Sequence, residues 1–405
     1  MLLPISAALL SSLGLLAIPV RRPPAEEALA GTHPITVKVV ETSAEFAALQ
    51  AEWDALHDDA ASATIFNSWL WQYRWWELYG AKQPLRLLVA FQGGTIVGIL
   101  PLYIRMASVG RLRVAELRQV GTGGDTYPDD LGPVVSPRAS EAAVLQALAE
   151  SAMRLSGWDV LLATDLPMPS AFAIHLVKIA RRAGMAADTG LSERIRYIGL
   201  PSSWKTFLAS LKGERRARIQ RARRRLLASH SARFFVWSDA GSMDEAVDKL
   251  VELHRKRWGA SSDSFATREY VEAHRRIMKD CLERGWLRLY CLEVDGDIAA
   301  MTYCYRFRNR VFLMQGGYDP ARSRFKPGNV LLGYALEHAM AEGNEVFDFL
   351  RGEHRYKDEL GTGHRETGYV AVFRPKVRAW VYRLRKVHLP RWRSKFFSSK
   401  IKPPR

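Results

Sequence analysis

The chain contains the same series of predicted elements twice, about two hundred residues apart, which is the kind of internal repeat that most restricts a fold. Each series has a helix ending near a glycine, a β-hairpin, a further strand, a loop with Gly and Asp, a helix and an apolar strand. The hairpins are Leu85–Phe91 with Ile96–Ile104, and Leu287–Val294 with Ile298–Phe307. The Asp295–Gly296 turn of the second is a strong hairpin signal. A matched series predicts a tandem repeat of one α+β unit, each with a mixed central sheet flanked by helices.

The remaining elements follow in the same order in both copies. They are Arg113–Val120, Glu141–Leu155 and Trp158–Ala163 in the first copy, and Arg310–Gln315, Val330–Glu342 and Glu345–Leu350 in the second. A chain of 405 residues suits two domains. We predict an apolar or unstructured extension over 1–34, domains over 35–195 and 196–375, and a basic aromatic tail over 376–405. The aromatic helix near Trp69–Tyr79 is expected to be core.

The chain has a net charge of +17, most of which lies in the C-terminal tail. From Arg374 to Arg405 there are twelve Lys or Arg residues and no acid, with aromatic residues such as Trp380 and Trp392 between them. This composition is typical of a segment that lies on an anionic membrane surface. A second basic segment, Lys212–Arg225, has seven arginines and one lysine against Glu214. It predicts either a solvated helix face or a contact with a phosphate backbone.

The compartment is inferred from the first residues and the cysteines. Met1–Val20 is mostly apolar but lacks a positive n-region and a cleavage site, so it is either an anchor or an unstructured extension. Cys281, Cys291 and Cys304 form neither a disulfide framework nor a metal-binding pattern. We therefore expect a cytoplasmic protein that associates with the inner face of the membrane. We also expect buried inert thiols and no metal.

Chemistry is predicted in the second copy, over Met314–Asn329. This stretch is a strand end, a glycine-containing loop and a helix start, where unsatisfied N–H groups and a positive dipole favour a phosphate-bearing ligand. We predict donor contacts from six residues. They are Gln315, Gly316, Gly317, Lys326, Gly328 and Asn329. The alternative is that these glycines only turn the chain.

A carboxylate follows inside the next apolar strand. Asp348 lies in Val346–Leu350, which continues into Arg351, Glu353, Tyr356 and Lys357. Ionisable groups at a strand end are costly unless they are paired or functional. Asp348 is therefore either part of a structural ion-pair network or a catalytic group.

The pattern resembles the CelD/BcsL-type acetyltransferase family, which is related to FemAB peptidyltransferases and to GNAT enzymes. The resemblance covers about Ile35 to Pro375. The matching pieces are Trp53, Phe66–Trp76, Gly124–Asp130, Arg215–Leu226, His254–Trp258, Gly317–Asp319, Lys326–Gly328, Asp348–Glu353 and Tyr356–Lys357. It implies tandem GNAT-like domains and acyl transfer from acetyl-CoA or another acyl-CoA to an amine or hydroxyl. It also implies a small-molecule or saccharide acceptor and a role in envelope, exopolysaccharide or cellulose metabolism.

Such a transfer needs a base, oxyanion donors and aligned reactants. We predict Asp348 or Glu353 as the base, N–H groups near Gln315–Gly317 as oxyanion donors, and Tyr356 as the acid for the thiolate. Lys357 and Arg351 would orient carboxylates or neutralise phosphate. Asp319 is either a second base or the turn former that an Asp before Pro usually is.

The acceptor is expected between the copies. In the first copy, the loop equivalent to the donor loop carries Asp125, Tyr127, Asp129 and Asp130, and an acidic loop repels pyrophosphate. We predict that it lines the acceptor cleft, with a solvated turn as the alternative. His254 and Trp258 share one helix face, which indicates a core pair or an acceptor contact.

Two rival functions remain at this level. One is a FemAB-like peptidyltransferase that uses aminoacyl-tRNA, with the Arg215–Arg225 run on the tRNA, although no RNA-binding motif accompanies it. The other is a non-enzymatic scaffold that binds membrane.

Overall fold

The computed structural model describes residues 33–123, 126, 128–259, 262, 264–352 and 354–388. The apolar run Met1–Val20 and the last part of the basic tail lie outside them. Within the described ranges, no helix combines the length and the apolar character that crossing a bilayer requires.

The helices follow the predicted order, and the first of them is divided in two. Thr42 caps α1 by accepting a hydrogen bond from the Glu45 N–H, and a break at Leu49 separates α1 from α2. The helices are α1 Ser43–Ala48, α2 Gln50–Asp59, α3 Trp69–Trp75, α4 Glu141–Arg154, α5 Ala171–Arg182, α6 Trp204–Ser210, α7 Gly213–Ser229, α8 Met243–Trp258, α9 Arg268–Glu283, α10 Pro327–Ala341, α11 Arg355–Leu360 and α12 Val377–Tyr382. Short 3₁₀ turns lie at Ile65–Asn67 and Pro320–Phe325, and π turns at Trp76–Gly80 and Arg383–His388.

The strands confirm both predicted hairpins. They are β1 Thr36–Val40, β2 Leu87–Gln92, β3 Thr95–Leu100, β4 Leu102–Val109, β5 Leu112–Gln119, β6 Val134–Val135, β7 Val160–Pro167, β8 Ala186–Gly199, β9 Ala232–Trp237, β10 Leu287–Val294, β11 Asp297–Phe307, β12 Arg310–Tyr318, β13 Val346–Asp348 and β14 Gly363–Phe373. Asp295 and Gly296 both have positive φ, 55° and 86°. That conformation matches the twist of the strands that the turn joins.

The strands form two sheets, and the larger sheet runs through both copies. The small sheet has the order β1-β2-β3-β6, and the ten-stranded sheet has the order β4-β5-β7-β14-β8-β13-β12-β11-β10-β9. The fold is therefore the predicted tandem GNAT-like architecture, with mixed sheets and flanking helices.

The two copies exchange their last strands. β8, which ends the first copy in sequence, pairs with β13 of the second, whereas β14, which ends the second, pairs with β7 of the first. β8 and β14 also pair with each other along their lengths. The boundary predicted between residues 195 and 196 thus falls inside β8, because this segment is a shared strand and not a linker.

The aromatic helix is core, as predicted, and it joins the copies. Phe66 and Trp71 of the first copy lie 6.2 Å from Phe312 and 5.7 Å from Tyr305 of the second, between ring centroids. All three cysteines are free and buried, as expected. Because one core and one sheet connect the copies, loops of the first copy hold fixed positions beside the second.

Candidate active site

A cavity opens where β12 and β13 separate. These parallel strands pair only from Arg310 and Val346 to Phe312 and Asp348, and β12 then continues to Tyr318 paired with β11 but not with β13. The chain leaves β13 through Leu350, whose φ is +51°, a value that a branched residue adopts only when the surrounding structure imposes it. The resulting cavity has a volume of about 800 Å³.

A β-bulge lies at the same point of β12. The register with β11 passes from Tyr303 opposite Gln315 to Cys304 opposite Leu313, so Met314 is the extra residue. The extra residue of a bulge has no ladder partner, and bulges are frequent beside active sites. Met314 lines the cavity, which makes its N–H a candidate oxyanion donor.

The cavity brings together most of the residues predicted from the sequence. The predicted residues that line it are His254, Trp258, Gln315, Gly316, Gly317, Lys326, Gly328, Asn329, Arg351, Tyr356 and Lys357. They come from α8, β12, the start of α10, the turn after β13 and α11. Their proximity is observed, and their roles remain predictions.

Lys357 is buried at one end of the cavity. Its Nζ donates to the carbonyl oxygens of Leu350 at 3.1 Å and Arg351 at 2.6 Å, which the turn after β13 directs towards it. Burial lowers the pKa of Lys357 to about 8, against the opposing effect of Asp129 and Asp348. Lys357 therefore exchanges a proton near neutral pH.

Asp129, on the loop predicted to line the acceptor cleft, is one of two carboxylates that line the cavity, the other being Glu359. Its Oδ2 accepts from the Arg351 N–H at 3.1 Å, and its Oδ1 lies 3.3 Å from Arg351 Nε. Burial raises the pKa of Asp129 to about 7, although Arg351 and Arg365 act in the opposite direction. The sequence predicts that this loop lies at a cleft, but it does not distinguish Asp129 from Asp130, because adjacent acids on one loop are equivalent without the fold.

Asp348 is a structural residue, so its prediction as the base is corrected. Its side chain is fully buried and does not line the cavity. Its carboxylate accepts from Arg365 at 2.7 Å and from the Leu350 N–H at 2.8 Å. Arg365 also donates to Asp130 of the first copy. This is the ion-pair alternative that the sequence left open.

Asp130 is likewise enclosed and does not line the cavity. Burial raises its pKa to about 6, against the effect of Arg365. Asp319 is the turn former. Its Oδ1 accepts from the Ala321 N–H at 2.9 Å at the start of a 3₁₀ turn, outside the cavity lining. Asp125, Tyr127 and Glu353 lie outside the described residues.

Close packing against α8 explains why β12 contains glycine at this point. A Cβ on Gly317 would lie 2.3 Å from the His254 backbone nitrogen, so glycine is needed for α8 to cross β12 closely. The Gly316 carbonyl accepts from Trp258 Nε1 at 3.3 Å. His254 is buried against Phe265, and burial lowers its pKa to about 4, so the imidazole is neutral at physiological pH. Gly316 and Gly317 thus shape the wall on which His254 and Trp258 lie.

The start of α10 forms the opposite part of the lining. Lys326 precedes the helix in the left-handed conformation with φ of 54°, and no side chain caps the first turn. Pro327 occupies the first position and has no N–H. The Gly328 N–H and the positive end of the dipole are therefore available to an anion.

The cavity lining is predominantly cationic. Its cations are Arg218, Arg257, Lys326, Arg351, Arg355 and Lys357, and its acids are Asp129 and Glu359. Such a lining favours a ligand with several negative charges. In the described part of the chain, no group of three or more His, Cys, Asp or Glu residues has the arrangement of a metal site.

Comparisons with known proteins agree with this geometry. Residues 213–358 match the family model described as an acetyltransferase (GNAT) domain. No curated protein matches the chain. The chain therefore contains a GNAT-type acetyltransferase domain, which supports acyltransferase chemistry.

Solved structures share the fold over both copies. FemX has 13% identity and a TM-score of 0.58, covering 83% of this chain and 98% of FemX. A conserved protein from Bacteroides thetaiotaomicron has 13% identity and a TM-score of 0.52, covering 83% of this chain and all of that one. The L-PGS of Bacillus licheniformis has 11% identity and a TM-score of 0.50, covering 87% and 97%. At these identities the similarity concerns the fold alone.

Arg365→Leu should destabilise the protein by about 3–5 kcal/mol, because Asp130 and Asp348 would remain buried without their shared cation. The loss should be larger at pH 8 than at pH 5. Without Arg365 the folded-state pKa of Asp130, which burial already raises, rises further, so stability falls as pH rises and this acid must ionise. Urea unfolding at the two pH values measures this.

The matched control is Arg194→Leu, which removes an arginine 61% exposed that lies 3.5 Å from Glu366. It should cost less than about 1 kcal/mol. Equal losses in the two variants would show that the Arg365 network is not a special stabilising element.

Proposed function

We propose that this protein transfers an acetyl or other acyl group from acyl-CoA to an amine or hydroxyl. One observation carries the proposal. The cavity at the separation of β12 and β13 brings Asp129 and Lys357 together with the uncapped start of α10 of the GNAT-type domain, and burial moves the pKa of Asp129 to about 7 and that of Lys357 to about 8. The matched pKa values are those that proton transfer to and from a reacting group requires.

The cationic side of the cavity supports a CoA donor. The uncapped start of α10 offers the Gly328 N–H and the helix dipole to a pyrophosphate, and Lys326 supplies charge beside it. Asn329 and Gln315 would contact the remaining polar groups of the donor. These contacts would hold the thioester near the Met314 bulge.

In the proposed reaction, Asp129 removes a proton from the acceptor as its nitrogen or oxygen bonds to the thioester carbon. The Met314 N–H would stabilise the resulting oxyanion. The tetrahedral intermediate then breaks its carbon–sulfur bond, and the CoA thiolate takes a proton from Tyr356. Burial raises the pKa of Tyr356 to about 12, so its hydroxyl keeps its proton at neutral pH.

Other residues have supporting roles in this proposal. Arg351 orients Asp129, and protonated Lys357 adds positive charge near it and orients the carbonyls of the turn after β13. Trp258 and neutral His254 line the acceptor side. Asp125, Tyr127 and Glu353 stay candidates from the sequence alone.

The acceptor is proposed from the resemblance to the CelD/BcsL-type family. It would be a saccharide or another small molecule of envelope or exopolysaccharide metabolism. The cavity of about 800 Å³ has room for an acceptor beside the thioester end of a donor.

One observation supports aminoacyl-tRNA as an alternative donor. Helix α7 is basic along its length, with Arg216, Arg221 and Arg224 exposed, and its Arg218 lines the cavity. An exposed basic face that leads to the site suits a phosphate backbone. The alternative function is therefore a FemAB-like transfer from aminoacyl-tRNA.

Acetyl-CoA at about a hundred times its Kd should stabilise the folded protein by about 2.7 kcal/mol, since a ligand of the native state acts by mass action. Thermal unfolding with acetyl-CoA, with aminoacyl-tRNA and with inorganic phosphate measures it. Stabilisation by aminoacyl-tRNA alone would favour the alternative donor. Stabilisation by neither donor would contradict both transferase proposals.

Asp129→Asn should reduce the transfer rate about 10²–10⁴-fold, the usual contribution of a general base. In the wild type, kcat/KM should fall below pH 7, where Asp129 is protonated, and above pH 8, where Lys357 loses its proton. The variant should lose the acidic limb. Free-thiol release measured from pH 5 to pH 10, with an amine or hydroxyl that supports turnover, tests this.

Asp319→Asn is the control, because this acid does not line the cavity. It should keep both limbs of the profile and the wild-type rate. A wild-type acidic limb that persists in Asp129→Asn would exclude Asp129 as the base.

We also propose a cytoplasmic location with contact to the inner face of the membrane through the tail. Helix α12 is anchored by Tyr382, which donates to Glu116 at 2.7 Å, and exposes Val377 by 80% and Trp380 by 62%. Leu384, in the π turn that follows, is also exposed. Cations surround this apolar row in the sequence. Aromatic and aliphatic side chains would enter the interface while Lys and Arg meet anionic lipid.

Vesicles that contain phosphatidylglycerol should co-sediment with the protein and release it at high salt. Changing Val377, Trp380 and Leu384 to Ser should reduce binding, and so should deletion of residues 389–405. The equivalent Ser changes at Ile174, Leu191 and Leu227, also exposed apolar residues, are the control and should bind as the wild type does. Undiminished binding in both tail variants would refute the proposal.

A further inference from the structure

Arg257 is a cavity cation that has no anionic partner among the residues that the structure describes. It lies near the end of α8, is partly buried and lines the cavity. Its guanidinium carbon lies 4.2 Å from the centroid of the Trp258 ring and 5.0 Å from that of Tyr318. No hydrogen bond or ion pair joins it to another residue within the described ranges. Its surroundings are therefore aromatic.

Other cavity arginines differ from it in this respect. Arg218 pairs with Glu359, and Arg351 pairs with Asp129 and with Asp165 at 2.6 Å. The charges of these side chains are neutralised by the protein itself. Arg257 alone among these three presents its charge to the cavity without a carboxylate.

Removing a guanidinium from water without a partner is costly, and burial accordingly lowers the pKa of Arg257. Cation–π contacts with two rings recover part of the cost but use the faces of the guanidinium and leave its edge donors unsatisfied. The edge of a guanidinium matches two oxygens of a carboxylate or phosphate. A residue kept in this state is suited to an anion that arrives with a ligand.

The wall that holds Arg257 is itself fixed. Trp258 is held by its hydrogen bond to the Gly316 carbonyl and by contact with His354, whose ring centroid is 5.2 Å away. Tyr318 is the last residue of β12 and lies beside Gly328 at the start of α10. The guanidinium is thus positioned before any ligand binds, which lowers the entropy cost of recognition.

We infer that Arg257 is a specificity residue that binds an anionic oxygen group, a carboxylate or a phosphate, of the cavity ligand. The inference rests on the proposed function only for which reactant carries this group. A phosphate would belong to the donor, and a carboxylate to an acidic acceptor.

Calorimetric titration of the full chain with CoA, inorganic pyrophosphate and glucuronate tests the inference. Arg257→Gln should weaken binding of at least one of these probes about tenfold to a hundredfold, the range for a charge-assisted hydrogen-bonded pair. Arg257→Lys keeps the positive charge but loses the two parallel N–H donors of the guanidinium. Its affinity for the probe should therefore lie between those of the wild type and Arg257→Gln. Arg324→Gln, which removes an arginine 4.4 Å from the Phe325 ring and outside the cavity lining, should bind as the wild type does.

The pattern of losses identifies the reactant. Weaker binding of CoA and pyrophosphate assigns Arg257 to the donor, and weaker binding of glucuronate alone assigns it to the acceptor. Wild-type protein that binds pyrophosphate through Arg257 but has no affinity for CoA would overturn the proposed donor and leave this inference standing.

Measurements of thermal stability distinguish a ligand-binding role of Arg257 from a purely structural role. Arg257→Met keeps the packing and removes the desolvated charge, so the Tm without ligand should stay constant or rise while anion binding is lost. A lower Tm with unchanged binding would overturn the inference. It would also be overturned if Arg257→Gln bound every probe as the wild type does, or if the wild type bound none.

Discussion

The buried ion pairs of the Arg365 guanidinium are the interaction on which the site depends. It extends from β14 and binds Asp348 of the second copy and Asp130 of the first. Its position exists only because β14 crosses to pair with β7 while β8 crosses to pair with β13. Carboxylates from the two copies share one cation. Without it, two carboxylates would remain unpaired in a low-dielectric interior.

This exchange also explains why the first copy contributes to the candidate chemistry. Its acidic loop ends beside the turn that follows β13, where Asp129 accepts from the Arg351 N–H. On the proposed function, one copy supplies the donor site and the other supplies the base. The duplication would then have separated the two tasks, since an acidic loop repels phosphate but can accept a proton.

The two titrating groups at the cavity owe their character to opposite effects of the same burial. Burial favours the neutral form of each group, so it raises the pKa of Asp129 and lowers that of Lys357. Neighbouring charges oppose both pKa shifts without cancelling them: Arg351 and Arg365 act to lower the pKa of Asp129, and carboxylates act to raise that of Lys357. The result is an acid and a base with pKa values close together, in a cavity whose other cations, Arg257 in particular, favour an anionic ligand.

The sequence by itself determined the repeat, both hairpins, the core character of Trp69–Trp75 and the gathering of Gln315–Gly317, Lys326–Asn329 and Tyr356–Lys357 around one cavity. These features follow from local periodicity, turn chemistry and short chain separations. Only the tertiary structure decided that Asp348 is enclosed by Arg365, that Asp129 rather than Asp130 lines the cavity, and that the predicted boundary between residues 195 and 196 lies inside β8. Those outcomes depend on pairs such as Tyr197 with Gly363, which are far apart in the chain and leave no periodic pattern in the sequence.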